Sequence, residues 1–548
     1  MKMPRYLLAA EADKIQDFIF RSSRLREVVG GSQLLTRFCE EVPFLLLKRI
    51  GDNCMADIIV SDGGSFRILF NNKDTAIQFG NYLSEIYRVA TGSTLTVAEP
   101  VKIDEPLEKN FASAIDKANF ELREEKRKSK GWTSEEHMPF MAICTSCGMG
   151  PAVNIYKEEY HDEKVKYLCQ PCLNKNLESR YGRSKFLEKI YSIIAEEEKM
   201  PLEQYSWPGL NVPGDPIEKD PTEEVADYDS NRYVAYLVAD GNDMGEVFGK
   251  CQNRETMAKL SCKLDLAIRR ALAKPTMKIM KYNQLDNRTN FIPVLPLILG
   301  GDELFALIPA PWALDFALSF CRAYEQEMRK VYGDEDIELE QQVPQPTISV
   351  AIVICKNKHP YTLAYEAAKA NLDKAKQLYR VISLYKNEHY SVINFNVLVG
   401  GAISPVVSPK SEYRPTLKPY LVAENAINRW GLSLERIIEE RWNLRHLPSK
   451  RLHELQNLYD PASNNLPSSH DQFDSWEKRL EQLLERINLR SKDESVNLKN
   501  AVDKLGGEKW FIVNRHNDNF RGHGLPDLLE AWNFALCLEK PRREYEEV

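Results

Sequence analysis

Two stretches of this chain repeat one order of apolar runs, helical stretches and glycine turns. In each, an apolar run is followed by a helical stretch, two apolar runs joined by a Gly-Gly turn, a second helical stretch and a final apolar run. The turns read Gly63-Gly64-Ser65-Phe66 in the first copy and Gly300-Gly301-Asp302-Glu303 in the second. Each copy therefore predicts the order βαββαβ, and the fold class is α+β with two ferredoxin-like domains.

The periodicity of the apolar residues places the elements of both copies. The first copy has predicted strands at residues 6–10, 56–60, 67–70 and 93–97, and helices at 13–50 and 73–89. The second has predicted strands at residues 233–239, 294–299, 304–308 and 347–354, and helices at 255–282, 313–332 and 361–378. Beyond residue 420, apolar spacings of three and four predict helices at 432–443 and 475–489.

Four domains follow from this pattern. We expect a first βαββαβ domain at residues 1–105, a helical linker with a cysteine cluster at 106–230, a second βαββαβ domain at 231–410 and a C-terminal helical domain at 411–548.

Composition and charge exclude several classes of protein. The chain has 548 residues, 43% of them hydrophobic and 28% charged, which is typical of a globular protein. Its formal net charge of −7 does not favour non-specific coating of nucleic acid. No apolar run approaches the ~20 residues of a membrane span, and the N-terminal residues do not resemble a signal peptide. We therefore expect a cytoplasmic protein without a membrane partner.

Three acidic side chains are predicted to meet at one end of the second copy. Asp240 ends its first strand, and Asp302 and Glu303 lie in the turn of the neighbouring hairpin. Three carboxylates repel one another unless a cation lies between them, and hard oxygen ligands select Mg²⁺ or Mn²⁺. Two such ions, about 3.5–4 Å apart, activate a hydroxyl and stabilise a leaving pyrophosphate. We therefore predict Asp240, Asp302 and Glu303 as catalytic residues and, together with Gly241, as the ligands of two metal ions.

Glycine-rich loops beside these acids predict a site for a nucleoside triphosphate. Glycine lets phosphates approach the backbone closely, and the amides of such loops bind phosphate oxygens. Lys376, one helix beyond the last strand, is placed to reach a triphosphate, and a solvated helix face is the alternative interpretation. The predicted nucleotide-binding residues are Gly241, Asn242, Asp243, Gly245, Gly300, Gly301, Ser349 and Lys376.

The first copy serves as an internal control for this prediction. Its turn ends Ser65-Phe66, without an acid, although the pattern around it is the same. A turn that needed acids for its structure would have kept them in both copies. The predicted site is therefore asymmetric, with the metal ligands in the second copy.

Four of the eleven cysteines are grouped between the copies. Cys144 and Cys147 form one C-x-x-C pair, and Cys169 and Cys172 form another about twenty residues later, which is typical of a four-thiolate zinc site. Four protein ligands leave no open position, so we predict structural Zn²⁺.

Five segments follow one another along the chain. They are residues 11–19 (EADKIQDFI), residues 24–35 (RLREVVGGSQLL), the four-cysteine ribbon, Asp240-Gly-Asn-Asp-Met-Gly245 and the Gly-Gly-Asp-Glu turn. Together they resemble the large subunit of type III CRISPR effector complexes. The resemblance covers about residues 5–400 and, loosely, the helical region that follows.

The resemblance implies two palm domains, the second of which typically binds ATP with two metal ions and joins it into cyclic oligoadenylate. It implies metal ligation by Asp240, Asp302 and Glu303, nucleotide contacts near Gly300, Gly301 and Ser349, and a phosphate role for Lys376. Guide RNA, target RNA and other effector subunits are the implied partners. So few residues precede the first copy that the N-terminal His-Asp nuclease domain of many members is expected to be absent.

Three functions remain open at this point. The first is a metal-dependent cyclase that makes a cyclic oligonucleotide from ATP or another nucleoside triphosphate in antiviral defence. The second is a catalytically silent large subunit that binds RNA and protein partners. The third is a stand-alone defence cyclase.

Overall fold

The computed structural model describes most of the chain, and every structural statement below concerns that part. The described residues are 5–22, 24–50, 56–104, 106–128, 140–157, 165–180, 185–209, 220–251, 253–283, 290–335, 337, 339, 343–385, 388–398, 412–423, 427–460, 470–488, 492–507, 510–515 and 518–546.

The first copy of the repeat, here called the first unit (residues 5–103), forms an antiparallel sheet with the strand order of a ferredoxin-like fold. The order is β2-β3-β1-β4, and β5 pairs with the other end of β1. The elements are β1 (Arg5–Ala12), α1 (Ile15–Phe20), α2 (Leu25–Ile50), β2 (Ala56–Asp62), β3 (Ser65–Phe70), α3 (Lys73–Thr91), β4 (Leu95–Val97) and β5 (Val101–Ile103).

The helical stretch predicted at residues 13–50 forms two helices, because the chain breaks between α1 and α2. The short α1 packs towards the second copy of the repeat, where Phe20 contacts Phe305 and Tyr365. The long α2 packs mainly on the helix that contains Cys172, and it also contacts α3 and the second copy. Apolar periodicity is continuous across the break and does not encode this change of direction.

The linker contains the ribbon (described residues 140–157 and 165–180) and four further helices or helical turns. Its elements are α4 (Leu107–Lys128), β6 (Asn154–Lys157), β7 (Val165–Leu168), α5 (Gln170–Arg180), α6 (Lys185–Glu197), the 3-10 turn Leu202–Gln204 and α7 (Pro221–Ala226).

The second copy, here called the second unit (residues 233–397), repeats the ferredoxin-like order and extends it. Its elements are β8 (Tyr233–Gly241), α8 (Met244–Gly249), α9 (Arg254–Asn283), β9 (Leu295–Gly300), β10 (Glu303–Pro309), α10 (Ala313–Tyr332), β11 (Ile348–Lys356), α11 (Tyr361–Ser383) and β12 (Ser391–Val397). The sheet order is β9-β10-β8-β11, with β12 added parallel to β11. The sequence pattern predicted every one of these strands except β12.

The C-terminal region contains the predicted helices. It also contains strands that the sequence pattern did not predict. Its strands are β13 (Tyr413–Arg414), β14 (Tyr420–Val422), β15 (Ile427–Asn428), β16 (Gly431–Leu432), β17 (Phe511–Arg515) and β18 (Asp518–Gly522). Its helices are α12 (Leu434–Asn443), α13 (Ser449–Tyr459), α14 (His470–Asn488), α15 (Lys492–Gly506), α16 (Leu525–Glu530) and α17 (Arg543–Glu546).

Strand β14 ties the region to the second unit, because it pairs with β12. Strand β13 pairs with β18 within the region itself. These strands are short or carry polar residues on both faces, so they lack the apolar alternation that predicts a strand. The predicted domain boundary at 410/411 lies outside the described residues. No helix in the described ranges is both long and apolar enough to cross a membrane.

Phe305 lies where the two units pack together. Its ring is 1% exposed and lies 5.1 Å from the ring of Phe20, 4.9 Å from that of Tyr365 and 5.7 Å from that of Tyr236, measured between centroids. Rings at these separations add edge-to-face and stacking contacts to the burial of their area. This aromatic cluster therefore joins α1 of the first unit to the sheet of the second.

Replacing Phe305 with alanine should lower the free energy of unfolding by about 3–5 kcal/mol, because the change leaves a cavity between the units. Denaturant unfolding followed by tryptophan fluorescence measures the loss. The Phe305→Leu variant keeps most of the side-chain volume and should lose less. Equal stability of Phe305→Ala and the wild-type protein would contradict this account of the interface.

Candidate active site

The sheet register brings the three predicted acids together. Strand β8 lies between β10 and β11, and its residue Asp240 pairs across with Glu303 on one side and Ser349 on the other. The turn from β9 to β10 places Asp302 directly before Glu303, and the Asp302 carbonyl accepts a hydrogen bond of 3.2 Å from the Gly241 amide. All three carboxylates therefore belong to one end of one sheet.

Lys376 on α11 reaches this acidic cluster. Its Nζ lies 2.6 Å from Oδ1 of Asp240, and both side chains retain partial contact with solvent. The helix α11 packs on β8 and β11, which carries the lysine across the sheet to the acids. The sequence left two interpretations of Lys376 open, a residue of the site and a residue of a solvated helix face. Its ion pair with Asp240 places the side chain at the acidic cluster.

The acids perturb one another. Burial, followed by the charges of Asp240 and Glu303, raises the pKa of Asp302 from 3.8 to about 7, and Lys376 opposes this shift. Glu303 reaches the solvent of the adjoining cavity. The protein around its carboxyl and the charge of Asp240 nevertheless raise its pKa. A carboxylate cluster whose members resist joint ionisation is the arrangement that a divalent cation stabilises.

This perturbation predicts a pH-dependent stability in buffers without added Mg²⁺ or Mn²⁺. Because the folded protein holds the Asp302 proton more tightly than the unfolded chain, this stabilisation is complete below about pH 3.8 and is lost as the pH rises through about 7. The gain in stability of Asp302→Asn over the wild type should grow from about pH 5 to about pH 8, by on the order of 1–2 kcal/mol after allowance for solvent.

Thermal melting at a series of pH values measures this difference, and Asp373→Asn, on an exposed part of α11, is the matched control. A difference between Asp302→Asn and the wild type that does not change with pH would contradict the proposed interaction.

The loop after β8 is held by hydrogen bonds within the protein. The Asn242 amide group donates to Oγ1 of Thr347 at 3.0 Å and accepts from Oγ of Ser349 at 2.8 Å, and both Asn242 and Ser349 are buried. Asp243 has a φ of 55° and accepts a hydrogen bond from the Tyr379 hydroxyl. These side chains fix the loop, and direct nucleotide contacts by Asn242, Asp243 and Ser349 stay predictions.

Gly241 is required by the close approach of three neighbours. A Cβ atom at this position would lie 2.9 Å from Cβ of Asp302, from Cγ of Met244 and from the Tyr324 hydroxyl. Any larger residue would therefore push the acidic turn away from β8.

The Gly-Gly turns of the two units face each other. A Cβ atom on Gly300 would lie 3.4 Å from Cα of Gly63, and Gly301 has a φ of +60°, which favours glycine. Beside the turns lies a cavity of about 1170 Å³ lined by both units. It exceeds the roughly 300–1000 Å³ of most sites for a single small molecule. Gly245, Gly300, Gly301, Asp302 and Glu303 line its second-unit wall.

The first unit has apolar or neutral residues where the second has acids. In β1 and β3, Ala10 pairs with Phe66 as Asp240 pairs with Glu303 in β8 and β10. Ala10 also pairs with Val97 on its other side, where Asp240 pairs with Ser349. The internal control drawn from the sequence therefore holds position by position, since the three acids are matched by Ala10, Ser65 and Phe66.

The four grouped cysteines converge as a metal site would require. Their sulfur atoms all lie within 4.8 Å of one another, and Sγ of Cys147 is 3.7 Å from Sγ of Cys169. A tetrahedral zinc ion with Zn–S bonds of about 2.3 Å separates its sulfurs by roughly 3.8 Å, so the residues fit Zn²⁺. Hydrogen bonding with Cys144 lowers the pKa of the Cys147 thiol well below its ordinary value, which favours the thiolate that binds metal.

Two cavity residues carry no role in the sequence prediction. Gln16 on α1 lines the cavity from the first unit, and Lys369 on α11 lines it from the second. Lys369 precedes Lys376 by two helical turns and therefore shares its face, which is a signal that the sequence contained. The position of Gln16 depends on how the two units dock, which periodicity does not predict.

Residues 233–381 match the family model described as Cas10/Cmr2, second palm domain. No curated protein sequence matches the chain significantly.

Among solved structures, Csm1 of T. onnurineus shares 14% identity with the chain at a TM-score of 0.49, covering 98% of this chain and 70% of that one. A Csm1-Csm4 cassette in complex with AMPPNP shares 16% identity at a TM-score of 0.49, covering 97% and 70%. The cassette in complex with pppApA shares 17% identity at a TM-score of 0.48, covering 85% of this chain and 65% of that chain.

Proposed function

We propose, from the premise that residues 233–381 form a second palm domain of the Cas10/Cmr2 family, that this protein is a metal-dependent nucleotidyltransferase. Its substrate is ATP or another nucleoside triphosphate, and its product is a cyclic oligonucleotide that acts as a second messenger in CRISPR-type antiviral defence. Its proposed partners are guide RNA, target RNA and other effector subunits.

The convergence of Asp240, Asp302 and Glu303 at one end of the sheet carries this proposal. Carboxylate oxygens in this number fit two Mg²⁺ or Mn²⁺ ions, which would polarise the attacking hydroxyl and neutralise the departing pyrophosphate. A single acid in a turn would not support the proposal, whereas three acids in register beside a lysine do.

The residues around the acids are proposed to bind the phosphates and a second nucleotide. The open backbone at Gly245 and Gly301 leaves room for phosphates, because a Cβ atom at either position would meet nothing within 4 Å. Lys376 supplies a positive charge, which is bound to Asp240 in this structure and is free to pair with a phosphate when a metal ion takes its place. A second nucleotide would lie against the first unit, where Ser65 and Arg67 line the cavity.

The proposed reaction joins two nucleotides and releases one pyrophosphate. The 3′-hydroxyl of one nucleotide attacks the α-phosphorus of the next, the bond to the β-phosphate oxygen breaks, and pyrophosphate leaves with that oxygen. The hydroxyl proton passes to solvent or to a carboxylate of the cluster. Repetition and a final intramolecular attack close the ring.

The direct test uses the full chain with Mg²⁺ or Mn²⁺ and each of the four nucleoside triphosphates, alone and mixed, with cognate guide complex and target RNA present. Release of pyrophosphate and a cyclic product in the mass spectrum are expected, with ATP favoured. Absence of product from every triphosphate under these conditions would overturn the proposal.

A further inference from the structure

Helix α1 is too short to hold its own position, although its first turn lines the active-site cavity. It has six residues, Ile15–Phe20, of which Ile15, Gln16 and Asp17 line the cavity. Isolated helices shorter than about 12 residues are marginal in water, so α1 depends on contacts with its neighbours. Ile15 packs on the turn of the first unit, because a Cβ atom on Gly64 would lie 2.6 Å from its Cδ1 atom. A shift of α1 would therefore change both the cavity wall and this turn.

The last turn of α1 is held by the ammonium group of Lys175, which comes from the ribbon helix α5 and is 1% exposed. Its Nζ donates hydrogen bonds to the carbonyl oxygens of Phe18 and Ile19, the second at 3.1 Å, and lies 4.4 Å from the centre of the Phe18 ring. Carbonyls in the last turn of a helix lack partners within it, and a positive charge is favourable there. A buried ammonium bound to two carbonyls and an aromatic face therefore fixes this end of α1.

The second unit holds α1 through two further contacts. The ring of Phe20 stacks on Tyr365 of α11 with a centroid separation of 4.0 Å and meets Phe305 of β10 edge-on at 5.1 Å. Near the start of α1, Gln16 accepts a hydrogen bond of 3.2 Å from Nζ of Lys369. The position of α1 is therefore set jointly by the ribbon, the first unit and the second unit.

Two glycines of α2 leave room for Lys175 to reach α1. A Cβ atom on Gly31 would lie 3.2 Å from Cε of Lys175 and 3.7 Å from Cα of Ile19. A Cβ atom on Gly30 would lie 2.2 Å from the carbonyl oxygen of Lys175. Both glycines belong to the segment 24–35 that the sequence pattern singled out. The structure thus accounts for this Gly-Gly pair by the close approach of α5.

Glu27 of the same segment joins α2 to the cysteine cluster. It is 1% exposed and accepts hydrogen bonds from the hydroxyl of Ser146, in the first C-x-x-C pair, and from the amide group of Asn176 at 3.0 Å. Lys175 follows Cys172 by three residues on the same helix. The ribbon is therefore docked through buried polar contacts, and this docking places the Lys175 ammonium.

We propose that Lys175 is a positioning residue for nucleotide binding, because it fixes from the ribbon a helix that forms part of the cavity wall. This inference rests on the proposed function, since it gives the ribbon a role in binding the substrate. A cavity wall that is ordered before the nucleotide arrives loses no binding energy to its ordering. Where only a fraction of the molecules has α1 in place, the apparent dissociation constant of the nucleotide rises by the inverse of that fraction.

The test compares Lys175→Met with the wild-type protein, because methionine keeps a long unbranched side chain and removes the ammonium. We expect one zinc ion per chain in both proteins. The amides of α1 should exchange hydrogen faster in the variant, and those of β8 should not. With saturating Mn²⁺, KM for the preferred triphosphate should rise about tenfold while kcat changes little, as when α1 is in place in about a tenth of the molecules.

Two further variants sharpen the comparison. Lys185→Met makes the same change at the exposed first residue of α6 and should behave as the wild type does. Gly31→Ala keeps the ammonium and crowds the Lys175 side chain from α2, so it should raise KM about threefold and increase exchange in α1 to a smaller extent.

A general loss of stability lowers the fraction of active molecules and therefore kcat, with KM unchanged, and this outcome in Lys175→Met would overturn the inference. Wild-type exchange of α1 in Lys175→Met, or in Gly31→Ala should Lys175→Met fail to fold, would overturn it as well. Loss of zinc from Lys175→Met would assign the effect to the ribbon itself and would also count against it. The proposed function fails in a different way, through absence of product from the wild-type protein, whereas hydrogen exchange needs no turnover.

Discussion

Asp240→Asn is expected to reduce the rate of product formation at least about a thousandfold. The side chain keeps its size but loses the charge that a divalent cation needs, and about 4 kcal/mol of transition-state stabilisation corresponds to that factor. Because Asp240 pairs in register with Glu303 and forms an ion pair with Lys376, the substitution removes charge from the centre of the cluster. Pyrophosphate release from the preferred triphosphate measures the loss.

The fold should survive this change, since Asp240 lies at the end of β8 and keeps its backbone pairing with β10 and β11. Asp373→Asn provides the matched control, because it makes the same chemical change on an exposed part of α11 near the site. A wild-type rate in Asp240→Asn would show that the cluster does not catalyse the reaction. Absence of product from the wild-type protein, together with co-purification of RNA and partner proteins by a variant with Asp302 and Glu303 both changed to alanine, would favour a silent palm in a binding subunit.

Cys172→Ser should release the zinc ion and destabilise the first half of the molecule. Serine does not replace a buried thiolate ligand, and zinc binding supplies on the order of 10 kcal/mol to small domains built around such sites. Cys172 is 1% exposed at the start of α5, the helix that packs along α2 and carries Lys175. We expect the zinc content to fall from one ion per chain to nearly none and the melting temperature to fall with it.

Elemental analysis and thermal melting measure the two effects, with Cys262→Ser as the control, because Cys262 is exposed on α9 and away from the cluster. The destabilisation should extend to α1, because Lys175 on α5 donates hydrogen bonds to the carbonyls of Phe18 and Ile19. Retention of one zinc ion per chain in Cys172→Ser, or its absence from the wild-type protein, would contradict the assignment.

Local pattern predicted much of this architecture because each unit buries its own sheet against its own helices. Strand β8 is apolar along nearly its whole length because it is the centre of a sheet covered on both faces, and both hairpins were found by their glycine turns. The acids were found because a strand end and a neighbouring turn meet at one edge of a sheet whatever surrounds it. The cysteine spacing was equally local, since two C-x-x-C pairs need only a short hairpin to converge.

The features that the sequence pattern did not predict share a different cause. The break between α1 and α2, the added strand β12 and the C-terminal strands all depend on contacts between segments far apart in sequence. Strand β18, for example, has few apolar residues and pairs with both β17 and β13. Such strands are stabilised by partners that a period of two or 3.6 residues does not reveal.

The sequence alone determined the order of elements in both units, the placement of Asp240, Asp302 and Glu303 at one sheet edge, and the absence of these acids from the first unit. Only the tertiary structure decided that Gly63 and Gly300 face each other, that a cavity of about 1170 Å³ lies beside them, and that Gln16 of the first unit accepts a hydrogen bond from Lys369 of the second. The reason is physical: pairing within a sheet follows from local periodicity, whereas the docking of two units depends on the shapes of whole surfaces, such as the aromatic cluster around Phe305.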